Sequence, residues 1–247
     1  MKTGLAVAKL ENDYMLYSPY SYLMAGIRLI ISDFDRTFTD GTLEVDESLE
    51  KAIRVAKKNG ILFSIDSGRG YDFLAQYSEK LDGLIDSFIA ENGCIGHFNG
   101  EKHVIGRCPD REPIFESLDG QGVPYGIGEV IFAVDVRHER ELAEALSSYN
   151  GAFQVIRNVN SLMVLPRGVS KASGAAWLAG MHGVTVGETA AIGDAENDIH
   201  LRDACSLLGA VSNALPAMKA AADYVCKESY GKGLREFIEY IGNVRGI

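Results

Sequence analysis

The sequence is short of cysteine, of basic charge and of long apolar runs, and each shortage argues against a class of function. Four cysteines stand in 247 residues: Cys94, Cys108, Cys205 and Cys226. They form no CxxC pair and have no His at metal-ligand spacing, which argues against a disulfide framework or a zinc centre. They read as reduced, mostly buried thiols of a cytoplasmic protein. Lys and Arg total 24 against 34 Asp and Glu, a formal net charge of −10. A nucleic-acid partner needs clustered cations, so none is expected. No uncharged apolar run approaches the roughly 20 residues of a membrane span. The longest uncharged stretch, Ala172 to Gly187, is rich in Gly, Ala and Ser and carries His182. Lys9, Glu11 and Asp13 interrupt any apolar core near the start, so neither a signal peptide nor a membrane partner is expected.

What is present reads as a globular α/β chain. At roughly 150 residues per domain, the length allows one large domain or a domain with a smaller companion. A chain of this size buries about 70–75% of its unfolded surface and needs no covalent staple. From Ile27 onward short apolar runs alternate with helical patterns, which predicts a mostly parallel sheet flanked by helices. Ile27–Ser32 and Ile61–Ile65 read as strands. Between them lies a helix that Asp46 caps and whose Leu49, Ile53 and Ala56 share one face. A helix over 71–81 and a strand over 87–90 follow. Residues 97–128 are polar and rich in Gly and Pro. Glu129–Val136 then reads as a strand, Glu139–Tyr149 as a helix, and Phe153–Arg157 and Ser161–Leu165 as paired strands. The first pattern resumes with a helix from Ser170 to Met181, strands at 189–192, 207–211 and 223–226, and helices at 196–204, 215–222 and 233–241.

The expected fold class is α/β: a Rossmann-like parallel-sheet core over residues 24–93 and 167–247, interrupted by a small α/β cap over residues 94–166. Residues 1–23 read as an N-terminal extension, either a hairpin turning at Glu11-Asn12-Asp13 or a loosely attached segment. Its Tyr14, Tyr17, Tyr20 and Tyr22 could cover their own domain or pack on a twin subunit as a homodimer.

Two strand ends carry the chemistry. Asp33 and Asp35 stand two residues apart after the first strand, so both carboxylates can face the crevice where open parallel sheets bind ligands. Like charges this close repel unless a cation or a shared proton lies between them. Taken alone, the pair reads equally well as turn residues capping the next segment. A second cluster, Gly193-Asp194-Ala195-Glu196-Asn197-Asp198, ends another strand, and Asp198 falls about one helical turn past Asp194. Each of its acids could be a plain helix cap. Acidic groups at two strand ends of one sheet can instead converge on a hard cation, and oxygen donors suit Mg²⁺. Ser67, followed by Gly68, ends the second strand, where its hydroxyl and the neighbouring amide can donate to phosphate. Lys171 opens a helix, a place where a cation opposes the macrodipole unless an anion lies in front of it.

In this order the four elements resemble the haloacid dehalogenase superfamily of phosphotransferases. The matching residues are Asp33-x-Asp35-x-Thr37, Ser67, Lys171 and Gly193-Asp194-x-x-Asn197-Asp198. Ser67-Gly68-Arg69, Glu91-Asn92-Gly93 and Ala222-Asp223-Tyr224-Val225 look like the Cof-type subgroup. The size and compact cap resemble its archaeal-type phosphoglycolate phosphatases and its sugar-phosphate phosphatases. Arg36 departs from the pattern, standing where the family usually has a small residue.

The resemblance implies a phosphomonoester hydrolase that uses Mg²⁺ and an aspartyl-phosphate on a small phosphorylated metabolite. Asp33 would be the nucleophile and Asp35 the general acid and base. Thr37, Ser67, Gly68, Lys171 and Asn197 would hold phosphate or substrate, and Asp33, Asp35, Asp194 and Asp198 the metal. Phosphoglycolate is the expected substrate, with a sugar phosphate next. A phosphomutase and a non-catalytic phospho-acceptor switch are the alternatives. Arg69, Arg157, Asn158 and Asn160 are the groups available to a leaving group.

Overall fold

The computed structural model describes residues 26–245. The hairpin expected over residues 1–23, and the subunit contact expected of its tyrosines, lie outside the described residues. Strand β1 (Leu29–Asp33) is buried along its whole length. Helix α1 (Glu47–Lys58) starts as predicted, with the Asp46 carboxylate accepting from the Ser48 and Leu49 amides, and buries Leu49, Ile53 and Ala56. There follow β2 (Leu62–Asp66), α2 (Tyr71–Lys80), β3 (Ser87–Ala90), β4 (Ile95–Phe98) and β5 (Glu101–Val104). The middle of the chain holds α3 (Glu112–Gly120), β6 (Tyr125–Ile127), β7 (Phe132–Asp135), α4 (Glu139–Leu146), β8 (Phe153–Asn158) and β9 (Ser161–Pro166). The last part runs through α5 (Lys171–Met181), β10 (Thr189–Gly193), β11 (Leu207–Ala210), α6 (Pro216–Ala221), β12 (Tyr224–Val225) and α7 (Tyr230–Arg245). Among the described residues no helix is long and apolar enough to cross a membrane.

The fold class is the α/β arrangement expected. Among the described residues the strands form two sheets, one ordered β12-β11-β10-β1-β2-β3-β4-β5 and the other β6-β7-β9-β8. In the large sheet every pair from β12 to β3 is parallel, and β3-β4 and β4-β5 are antiparallel. The strand order runs outward in both directions from the β1–β10 pair. The carboxyl ends of β1 and β10 therefore form a topological switch point, the crevice where sheets of this kind bind ligands. The smaller sheet is antiparallel throughout and has its own core, built from Ile114, Phe115, Leu118, Phe132, Val134, Leu142, Phe153, Leu162 and Val164.

The structure corrects the expected cap boundary. Residues 95–104, assigned from sequence to the cap, pair instead onto β3, with Phe88 opposite His97 and Ala90 opposite Ile95. The hairpin turns at Asn99 and Gly100, both at positive φ, and Gly96 lies flat against the Trp177 ring. The small sheet begins only after them. Residues 112–120 form a helix that the Gly- and Pro-rich texture concealed, although Ile114, Phe115 and Leu118 bury one face. The expected α-helix over 196–204 is a 3-10 stretch, and α7 starts three residues earlier than its glycines suggested. Gly231 and Gly233 lie inside that helix: a Cβ at Gly233 would stand 2.4 Å from Glu228 O, and one at Gly231 would be tight against Leu49 Cδ2 and Phe38 O at 3.1 and 3.2 Å.

Candidate active site

Asp33 closes β1 and Asp194 directly follows β10, and the register that sets Ser32 beside Ile192 brings the two acids together. Lys171, the first residue of α5, reaches the same point. Its Nζ donates to Asp33 Oδ1 at 2.5 Å and to Asp198 Oδ1 at 2.6 Å, and it is 1% exposed. Ser170 fixes the start of that helix by accepting from the Ser173 amide. The other Asp198 oxygen accepts from the amides of Asp194 at 2.9 Å and Ala195 at 3.0 Å. Carboxylate oxygens of Asp33, Asp194 and Asp198 lie within 4.8 Å of one another, and all three residues are buried.

Three buried carboxylates face one buried ammonium and the half-exposed Arg36 guanidinium, whose Nε donates to Asp194 Oδ2 at 2.7 Å, which leaves an excess of negative charge. Burial pushes the Asp33 carboxyl well above the usual range; Lys171 pulls it down, while Asp198 and Asp194 add to the rise. Burial and Asp198 hold Asp194 at about 6, against the pull of Arg36. Burial opposes charge on Lys171, but Asp198, Asp33 and Asp66 outweigh it and raise its pKa. The shortfall is one of positive charge, and the donors are hard oxygens. The residues fit a divalent cation.

Around this centre the remaining predicted residues divide into two groups. Asp33, Asp35, Gly68, Asp194 and Asn197 line a cavity of about 290 Å³ with Arg36, Arg69, Asn158, Val159 and Met163. Asp35 is half-buried and held by Arg69, whose Nε and Nη2 reach its two oxygens at 2.9 and 2.6 Å. That guanidinium also lies over the Phe73 ring, 4.6 Å from its centroid. Gly68 admits the Met163 methyl and the Asn92 amide, which a Cβ would meet at 3.0 and 3.2 Å. Thr37, Ser67, Lys171 and Asp198 stand behind the cavity wall and are fully buried. The Thr37 hydroxyl has no partner, and the Ser67 hydroxyl accepts from the Arg69 amide at 3.1 Å.

The anions in front of Lys171 are thus carboxylates of the chain itself. Among the candidate leaving-group contacts, Asn158 and Arg69 reach the cavity, whereas Arg157 pairs with Glu139 on the surface. Sequence reasoning gave no role in the site to three residues, although Glu91 and Asn92 stood in a motif it singled out. Asp66, the β2 neighbour of Asp33, is buried with neither oxygen hydrogen-bonded. Burial raises its pKa well above the usual range, with Lys171 opposing. Glu91 receives the amides of Glu129, Val130 and Ile131, and Asn92 joins Met163 to Asn197. Positive φ at Glu91, Asn92 and Gly93 marks that turn, and the Asn-Gly pair was its sequence signal.

A switch-point cluster of carboxylates around a buried lysine, roofed by a second sheet, marks a capped Rossmann-like protein with an enzyme's polar centre. The chain belongs to the haloacid dehalogenase-like hydrolase family, whose profile matches residues 30–119 and 124–238. It is similar to "Phosphoglycolate phosphatase 2" of Saccharolobus solfataricus, with 30% identity over 222 residues, 86% of this chain and 91% of the relative. The phosphoglycolate phosphatase of Sulfurisphaera tokodaii is 31% identical over 228 residues, 87% of this chain and 94% of its own. Among solved structures, Thermoplasma acidophilum 0175 superposes with a TM-score of 0.75 at 23% identity, covering 87% of this chain and 98% of that one. A sugar phosphatase of haloacid dehalogenase subclass IIB gives 0.73 at 20%, covering 87% and 99%. Family and relatives together make the chain a phosphatase.

Proposed function

We propose that the chain is a Mg²⁺-dependent phosphomonoester hydrolase that works through an aspartyl-phosphate on a small phosphorylated carboxylic acid, phosphoglycolate first. The convergence of Asp33, Asp194 and Asp198 beside Lys171 at the switch point carries this reading. Asp33 attacks phosphorus, its oxygen forming the new P–O bond while the bond to the leaving oxygen breaks. Asp35 gives that oxygen its proton, then takes one from the water that splits the acyl phosphate. Lys171 holds Asp33 in place and favours its ionised form against the effect of burial. Gly68 and Asn197 line the cavity for the transferring group, and the Ser67 and Thr37 hydroxyls would support it from behind the cavity wall. Asp33, the Asp35 backbone carbonyl, Asp194 and Asp198 are the candidate holders of Mg²⁺, which offsets repulsion between carboxylate and phosphate.

A cavity of about 290 Å³ has room for a phosphate carrying a small organic group, acid or sugar. One feature supports a small acid as substrate. Arg69 already grips a carboxylate at two points, that of Asp35, and a substrate carboxylate offers the same fork-on-fork partner. The names of the curated relatives point the same way. A second reading, a sugar phosphate, has its own support. The side-chain oxygens of Asn158 and Asn197 are buried without partners, and each could accept from a substrate hydroxyl.

Inorganic phosphate release from phosphoglycolate, hexose phosphates and nucleotides, with and without Mg²⁺, tests both readings. Metal-dependent release from phosphoglycolate supports the first, and release from hexose phosphates alone moves the substrate to the second. Asp33→Asn should abolish turnover, a loss of at least about 10³-fold, with an unchanged circular dichroism spectrum. Near-native turnover in that variant removes Asp33 from its role.

A further inference from the structure

Arg36 occupies a position that its own chemistry does not favour. Its φ is 64°, the left-handed region that glycine enters freely and that a long side chain enters at a cost. The backbone there is pinned, because the Asn213 side-chain amide donates to Arg36 O at 2.8 Å and Asn213 Oδ1 accepts from the Tyr230 amide at 2.8 Å. The side chain is not pinned. It is 54% exposed, and its inner contact is Nε to Asp194 Oδ2 at 2.7 Å, supplemented by Nη2 to the Asn213 carbonyl at 3.4 Å. Asp194 itself is buried, and its carboxylate lies outside the reach of the Lys171 bonds that serve Asp33 and Asp198. One acid of the cluster therefore has a removable counter-charge, and the other two share a fixed one.

We propose that Arg36 is a positioning residue that competes with a divalent cation for Asp194. It holds the carboxylate in place and neutralised, and swings toward solvent when the cation binds. The proposal rests on the reading of Asp194 as a metal ligand. Its physical basis is direct. An N–H aimed at Oδ2 occupies a lone pair that a cation needs, and a guanidinium at that distance repels a divalent ion. The pinned backbone and free side chain allow the exchange without movement of the turn. The arrangement favours binding only where metal is plentiful, and makes that binding weaker than the carboxylates alone would give.

The test is metal binding in the absence of substrate, read as free Mn²⁺ by electron paramagnetic resonance and as Mg²⁺ by calorimetry. Arg36→Gln keeps the length of the side chain and the strained backbone while removing the charge. It should tighten binding about fivefold, the scale of a partly exposed ion pair. Arg36→Lys should stay near the native value, and Asp194→Asn should lose binding. Arg36→Gly, which suits the backbone, should bind as Arg36→Gln does and melt at a higher temperature, so a folding failure of the glutamine variant does not hide the result. Equal or weaker binding in both Arg36→Gln and Arg36→Gly overturns the proposal while leaving the metal site standing. Native binding by Asp194→Asn overturns the site reading, and the proposal with it.

Discussion

The titratable residues of the centre differ in what balances the charge each could carry, and Asp66 is the extreme case. It sits beside Asp33 in the sheet register, buried, with both oxygens unpaired. Burial raises its pKa well above the usual carboxylate range despite Lys171, so the folded chain keeps it neutral at a pH where the unfolded chain ionises it. The folded state then binds more protons than the unfolded state above about pH 4, and stability from this group falls as pH rises. Asp66→Asn removes that dependence. Its melting temperature should gain on the native protein steadily from about pH 4 upward, measured without metal; parallel pH profiles would show that Asp66 is charged in the fold. In the sequence Asp33, Ser67, Lys171 and Asp194 were legible because each is polar at the end of an apolar run or at a helix start. Asp66 has the same local signature as Asp33. What distinguishes it is burial behind Lys171, which arrives from the far side of the inserted segment, and no local pattern records that.

At the scale of elements, α5 shows packing overriding propensity. Gly174 lies in its first turns, where alanine would ordinarily gain about 1 kcal/mol. Here a Cβ would come within 2.7 Å of Gly93 Cα and 2.8 Å of Ile89 Cγ2. Gly93, at φ 106°, faces the same helix, with Ser170 O only 2.1 Å from where its Cβ would stand. The close approach of helix and turn is what delivers Lys171 to Asp33. Overpacking costs about 1–3 kcal/mol and exceeds the propensity gain where backbone is the obstacle. Gly174→Ala should therefore lose about 1–2 kcal/mol in urea unfolding and also lower kcat, since the helix start that carries Lys171 must shift. A stabilised variant with native kcat would show that the helix tolerates a wider gap. Most elements were readable from apolar periodicity, including the caps at Asp46 and Ser170. The β4–β5 hairpin was missed because β5 is largely exposed and gives no apolar alternation, even though Asn99-Gly100 is a strong hairpin signal.

For the molecule as a whole, the question is what joins the catalytic sheet to the sheet that roofs it. The cap boundary drawn from composition was too early because composition cannot show which sheet a strand joins; the β3–β4 ladder decides it. The junction includes a buried ionic clamp. Glu91, 2% exposed at the end of β3, takes the amides of Glu129, Val130 and Ile131 at 2.7, 2.8 and 3.0 Å. Arg111 grips the carbonyls of the same turn, reaching Val130 O at 2.8 Å and Ile131 O at 3.0 Å. Gly128 lies so close to the Glu91 carboxylate that a Cβ would stand 2.7 Å from Oε1. That turn leads into β7, which pairs with β9, and the β8–β9 hairpin brings Asn158, Val159 and Met163 to the cavity. Glu91 thus sets the roof without touching the cavity. Glu91→Ala orphans three amides, two of them in buried bonds, and should cost about 3 kcal/mol or more in urea unfolding; Glu91→Gln, which keeps one acceptor, should lose less. A roof held less firmly should raise KM several-fold and change kcat by a smaller factor, because Asp33, Lys171 and Asp194 stay on the large sheet. Loss of kcat with KM unchanged would instead make the clamp part of the catalytic centre.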